Sequence, residues 1–205
     1  IVEPTGTSFS TGQFIPATYF SQAGQSDIRF GKSGNTASLT IGAAISAGGD
    51  IVTYAGTTTI NASSAISTTA SSGANISLNT ASTYALTASS GISSDGALTI
   101  NADGITLNNS ISAKGNIAVT SGPSADKDLE FKANVTNNTL NATTILKATR
   151  HVLQSTNAVT MQTNKGDLVF WGDSDATTDG RISIYAGSTI NTANSSTSTS
   201  VTGGG

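Results

Sequence analysis

A short unit recurs along this chain: a glycine, a small or polar residue, then apolar residues at alternate positions. Its instances are Gly49-Asp50-Ile51-Val52-Thr53, Gly73-Ala74-Asn75-Ile76-Ser77-Leu78, Gly96-Ala97-Leu98-Thr99-Ile100, Gly115-Asn116-Ile117-Ala118-Val119, Gly166-Asp167-Leu168-Val169-Phe170 and Gly180-Arg181-Ile182-Ser183-Ile184. Each predicts a turn followed by a strand. Longer stretches match as well. Ala44-Ile45-Ser46-Ala47-Gly48-Gly49-Asp50-Ile51 aligns without a gap with Ser110-Ile111-Ser112-Ala113-Lys114-Gly115-Asn116-Ile117. Thr59-Ile60-Asn61-Ala62 recurs as Thr99-Ile100-Asn101-Ala102, and Tyr54-Ala55-Gly56-Thr57 as Tyr185-Ala186-Gly187-Ser188. Most gaps between units are around 19 to 25 residues, and the one from Gly115 to Gly166 is about twice that. Such periods mark solenoids, whose units bury their apolar faces only by stacking on neighbours.

Period-2 alternation at Leu98/Ile100, Ile105/Leu107, Ile117/Val119, Leu129/Phe131, Val159/Met161, Leu168/Phe170 and Ile182/Ile184 puts those side chains on one strand face, with Ser, Thr and Asn on the other. No window has apolar residues at helical spacing, and Ser and Thr, roughly three residues in ten, disfavour helix interiors. Almost no helix is expected. Short strands joined by Gly, Asn, Asp and Ser turns are compatible with a sandwich, a barrel or a solenoid. Three features select the solenoid. The unit repeats; Asn-Gly hairpin signals are absent; and only 5% of residues are aromatic, which suits a narrow interior of stacked Ile and Ala. The expected fold is all-β, a single-stranded parallel β-helix of about 6 to 8 coils.

The formal net charge of −3 gives no field that would draw DNA, RNA or anionic lipid, whose recognition needs clustered Lys and Arg. Without cysteine there is no disulfide framework and no thiolate metal site. No apolar run approaches the roughly 20 residues that cross a bilayer, so no transmembrane insertion is expected. The chain starts at Ile1 without a targeting segment and reads as an excised or processed piece.

Composition divides the chain. Residues 1–38 hold four of the six Phe, with Pro4 and Pro16, and read as an irregular cap or junction. Residues 39–190 carry the repeats as one solenoid body, in which Pro123-Ser124-Ala125-Asp126-Lys127-Asp128 reads as a loop. Residues 191–205, rich in Ser, Thr and Gly, read as a tail or linker.

The Gly-led strands, the Thr-Ile-Asn-Ala and Ile-Ser-Ala repeats and the string Gly166-Asp167-Leu168-Val169-Phe170-Trp171-Gly172-Asp173-Ser174-Asp175 resemble the repeat regions of filamentous haemagglutinin-type bacterial proteins. The resemblance covers about residues 36–192. It implies a right-handed parallel β-helix shaft belonging to a large exported adhesin that acts at the cell surface or in the biofilm matrix. The amino-terminal Asn-Pro-Asn secretion signature of that family is absent, so a shaft segment is implied rather than the secretion domain.

Candidate chemistry is sparse. Asp173, Asp175 and Asp179 form the densest carboxylate cluster, and oxygen ligands of this kind suit calcium; no other cofactor is expected. A solvated acidic turn after a strand explains the same residues, and no Glu follows Gly180 to complete a calcium loop. His151, the sole histidine, lacks Ser and Asp partners at triad spacing and reads as an outer-face strand residue. Gly31-Lys32-Ser33-Gly34 fails the phosphate-loop pattern because Ser26 stands where glycine is needed. Trp171, Tyr54 and Tyr185 offer flat apolar faces for stacking on sugars. Thr-rich strands raise ice binding, but no fixed Thr-x-Thr appears in each unit, so no regular Thr ladder is expected. Phe9, Phe14, Tyr19, Phe20 and Phe30 are candidates for an assembly interface.

The expected function is a non-enzymatic structural and adhesive shaft of an extracellular bacterial protein, meeting host or matrix glycans or other surface molecules. The first rival is a filament subunit that joins copies of itself head-to-tail through the solenoid ends. The second is a carbohydrate-active β-helix enzyme, which needs carboxylates converging from adjacent coils; a charged fraction of 10% speaks against it.

Overall fold

The computed structural model describes residues 1–16, 26–69, 73–155, 157–177 and 179–193. Among them there is no helix, and every strand pairing is parallel. After β1 (Gln13–Ile15), the described residues wind through seven passes of three strands. These are β2 (Ile28–Phe30), β3 (Leu39–Ile41) and β4 (Ile45–Ala47); β5 (Ile51–Ala55), β6 (Thr58–Ile60) and β7 (Ile66–Thr68); and β8 (Ile76–Thr80), β9 (Leu86–Ala88) and β10 (Ile92–Ser94). Then come β11 (Leu98–Ala102), β12 (Ile105–Leu107) and β13 (Ile111–Ala113), followed by β14 (Ile117–Ser121), β15 (Leu129–Phe131) and β16 (Val135–Leu140). The last two passes are β17 (Thr144–Ala148), β18 (His151–Gln154) and β19 (Thr160–Asn164), and β20 (Leu168–Trp171), β21 (Arg181–Ser183) and β22 (Thr189–Asn191).

The first strand of each pass joins one seven-stranded sheet, β2-β5-β8-β11-β14-β17-β20. The second strands, with β1 at the edge, make an eight-stranded sheet, and the third strands a seven-stranded one. The fold is therefore a parallel β-helix with three faces, here termed the first, second and third sheets. First-sheet strands begin at residues 28, 51, 76, 98, 117, 144 and 168, so one pass takes between 19 and 27 residues.

The interior is a set of aligned columns. On the third sheet Ile45, Ile66, Ile92, Ile111, Val135 and Met161 follow one another in register, all at most 1% exposed. On the second, Ile15, Ile41, Ile60, Ala88, Leu107 and Phe131 do the same. Burying each large aliphatic contributes about 1.5–3 kcal/mol, and the alternating burial of the strands shows why period 2 was needed. Polar side chains that point inward at strand ends are held by corner carbonyls. Thr68 Oγ1 donates to Ala74 O at 3.0 Å, Ser94 Oγ to Ala97 O at 2.8 Å and Thr163 Oγ1 to Gly166 O at 2.6 Å.

The recurring Gly-led unit is the corner from the third sheet to the first. There the backbone of one pass lies directly on the next, and a Cβ on Gly49, Gly96 or Gly166 would overlap the carbonyl oxygen of Ser26, Gly73 or Ala142. The Asp or Asn near this glycine bridges passes. Asp27 Oδ1 accepts the N–H of Asp50 at 2.9 Å, Asp50 Oδ1 that of Asn75 at 2.7 Å, and Asn75 Oδ1 that of Ala97 at 2.8 Å. Gly180 is different, because it turns the chain into β21 on the second sheet.

The first 38 residues contribute β1 and β2 to the sheets, and Val2 bridges Phe30. At the other end, Leu168, Ile182, Ile184 and Ile190 are only partly buried against the core. Alternation placed Leu168 and Ile182 inside; no eighth pass lies over them among the described residues to complete their burial.

Candidate functional site

The outer face of the first sheet brings the most varied side chains together. β5, β8, β11, β14 and β17 each have five residues, whereas the second-sheet strands β3, β6, β9, β12 and β15 have three. Five residues place two side chains outward per pass instead of one. The second of these columns runs Tyr54, Asn79, Asn101, Thr120, Lys147 and Trp171 in unbroken register. Asn101 Nδ2 donates to Asn79 Oδ1 at 3.0 Å, and Asn79 Nδ2 to Thr53 O at 3.2 Å and Ser77 Oγ at 3.0 Å.

Trp171 ends that column and is 48% exposed, while its neighbour Phe170 turns inward to stack on Phe131 at 6.5 Å between ring centroids. The Lys147 ammonium lies 4.3 Å from the centre of the indole, within the range of a cation–π contact. The sequence singled out Trp171 and Tyr54 separately; the register places them on one line.

Tyr185 is also exposed but follows β21, on a different side of the helix from Tyr54. The matching tetrapeptides at 54–57 and 185–188 are thus not equivalent positions, and the three aromatic residues do not form one site. Asp173, Asp175 and Asp179 sit in the corner between β20 and β21. Among the described residues no three His, Asp or Glu side chains are grouped so as to hold a metal ion, so the structure does not gather these aspartates into a calcium cage. Of the proposed interface residues, Phe14 is 58% exposed and Phe9 is partly exposed, but Phe30 is 5% exposed within the core. Tyr19 and Phe20 lie outside the described residues. A cavity of about 40 Å³ opens beside Phe9, Phe14 and Tyr54 at this end, and Phe30 nevertheless lines it as well.

His151 does lie on the outer side of β18, partly exposed, and its backbone N–H donates to Asp128 Oδ1. Arg150 grips the same carboxylate with Nε and Nη2, at 2.9 and 2.7 Å. Burial, the largest influence, pushes the Asp128 carboxyl up, but the Arg150 hydrogen bonds and charge together with the His151 N–H outweigh it and hold it below the usual range. Asp103, whose side chain is 1% exposed, accepts the Ser124 N–H at 2.7 Å and faces Lys127 Nζ at 3.6 Å. These contacts fasten the 122–128 loop to the passes on either side of it.

No family model matches the chain, and no curated protein or solved structure matches it either. The site is therefore described by its own geometry.

Register also corrects one expectation. Thr40, Thr59, Thr87 and Thr106 form an aligned outward column on the second sheet, ended by Phe14 on one side and Glu130 on the other. A regular Thr ladder does exist. Residue spacing hid it, because the loops between these strands differ in length. It is one column wide, since three-residue strands expose only their central residue.

Proposed function

We propose that this chain is a stiff, non-enzymatic segment of the shaft of an extracellular bacterial adhesin, holding binding surfaces at a distance from the cell. The observation that carries this reading is the continuity of the three parallel ladders and their shared interior through all seven passes. The side-chain bridges at the corners add to it. In such a stack each pass contacts only its neighbours, so length grows by adding passes while stiffness is kept. The resemblance of the Gly166–Asp175 string and the Gly-led units to filamentous haemagglutinin-type repeats supports the same reading. Among the described residues no helix is long and apolar enough to cross a membrane.

Stretching a single chain between its ends tests this reading. A shaft holds its length under low force and then lengthens in steps as passes peel from one end. Smooth extension from the lowest force, as for a flexible linker, contradicts it.

A filament subunit is the second reading, favoured by the partly buried Leu168, Ile182, Ile184 and Ile190 on the last pass. Three parallel strand edges at that end offer a template for a further coil.

A further inference from the structure

The three outer faces differ in chemistry. The third sheet shows Ser46, Ser67, Ser93 and Ser112 in one column, and the second shows its Thr column. These stretches are short hydroxyls, bounded by Phe14 and Glu130 on the second sheet and continuing to Thr136 and Gln162 on the third. Only the first sheet joins aromatic rings, carboxamides, a hydroxyl and an ammonium along a single line. No carboxylate occupies either of its outward columns, although the whole chain has 12 acidic residues against 9 basic ones. The two cations of this face sit at opposite ends: Arg29, 3.7 Å from Glu3, on the first pass, and Lys147, whose ammonium lies over the Trp171 ring, near the last.

Taking glycans as the partner class from the adhesive-shaft reading, we propose that this face binds a linear, uronate-bearing polysaccharide laid along the helix axis. The Lys147 ammonium, which covers one face of the Trp171 ring at 4.3 Å from its centre, swings off it to meet a sugar's carboxylate, and Trp171 stacks on the apolar face of that pyranose. The amides of Asn101 and Asn79 take hydroxyls of the sugars that follow. Their mutual hydrogen bond and the Thr53 and Ser77 contacts fix their orientation before any ligand arrives, which lowers the ordering cost of binding. Successive rungs are about 4.8 Å apart, close to the advance per unit of an extended chain of pyranoses. Aromatic rings at both ends and hydrogen-bonding groups between them suit several sugars in a row rather than one.

Trp171 is the single tryptophan of the chain, so its fluorescence reports on the platform alone. The purified chain is titrated with hexagalacturonate and, as the neutral probe of equal length, with cellohexaose. The expected result is a saturable change with the uronate and at least tenfold weaker binding of cellohexaose. Lys147→Gln is expected to weaken uronate binding about tenfold, and Asn101→Ala to weaken the hexamer several-fold while leaving digalacturonate unchanged. Both substitutions lie on the surface, and far-UV circular dichroism checks that the sheets persist. No saturable signal, equal affinity for the two hexamers, or an unchanged affinity in Lys147→Gln overturns the proposal. The shaft reading stands or falls separately, since stretching involves no glycan.

Discussion

Asp50 and Asn75 lie one above the other at the corner leading into the first sheet, and Asp50 Oδ1 accepts the backbone N–H of Asn75 at 2.7 Å. Asn75 Oδ1 repeats the arrangement toward Ala97 at 2.8 Å. Side chains thus continue the inter-coil ladder through the turn. Asn75→Ala removes one acceptor at an exposed corner, where water partly replaces it, and should cost about 1 kcal/mol. The expected readout is a lower denaturant midpoint at an unchanged slope; an unchanged midpoint contradicts the bridging role.

Two glycines separate steric need from turn preference. A Cβ on Gly166 would overlap the Ala142 carbonyl oxygen, whereas at Gly91 the nearest atom, Ser110 O, is 3.6 Å away. Gly166→Ala should destabilise by about 1–3 kcal/mol, and Gly91→Ala should stay within about 0.5 kcal/mol of the parent. Equal effects in thermal melts contradict close backbone stacking at the corner.

Thr53 points into the core between Phe30 and Leu78, is 0% exposed, and its Oγ1 has no hydrogen-bond partner. Valine keeps the shape and removes the buried hydroxyl. Thr53→Val should therefore stabilise the fold by about 1 kcal/mol, and a loss of stability shows that the hydroxyl is satisfied in solution.

The Asp128 carboxyl is held below its ordinary value of 3.8 by Arg150 and the His151 N–H against the opposing effect of burial. With a folded value below the unfolded one, its contribution is complete above about pH 4 and is lost as pH falls through the folded value. The melting temperature should drop on acidification below pH 4, and Asp128→Asn should be less stable at pH 7 with a shallower fall in acid. An acid profile unaltered by Asp128→Asn contradicts the assignment.

Strand direction and face were legible because alternation is local: Leu98, Ile100, Ile117 and Val119 all point inward. The eight-residue match at 44–51 and 110–117 was a true structural repeat, both copies spanning the third-to-first corner. The tetrapeptide match was not, since Thr59-Ile60 lies on the second sheet and Thr99-Ile100 on the first. Four residues record alternation and a turn, which every face shares. The double gap between Gly115 and Gly166 hides a full pass at whose corner Ala142 stands where those two units have glycine, two residues before the first-sheet strand. Asn141 before it, like Lys165 before Gly166, is left-handed, at φ 62°, a conformation asparagine tolerates. What the sequence could not show was which residues share a column. Thr40, Thr59, Thr87 and Thr106, or Lys147 and Trp171, become neighbours only once loop lengths are absorbed at the corners, outside the ladders. The candidate site is a column of this kind, so its residues were found singly and their alignment was not.

Electron microscopy of the purified chain at micromolar concentration tests the shaft account most directly. Seven passes about 4.8 Å apart predict short, isolated particles of roughly 34 Å along the axis at every concentration. Long uniform fibres growing with concentration would contradict the account and make the open last pass, with Leu168, Ile182 and Ile190, the seat of a filament.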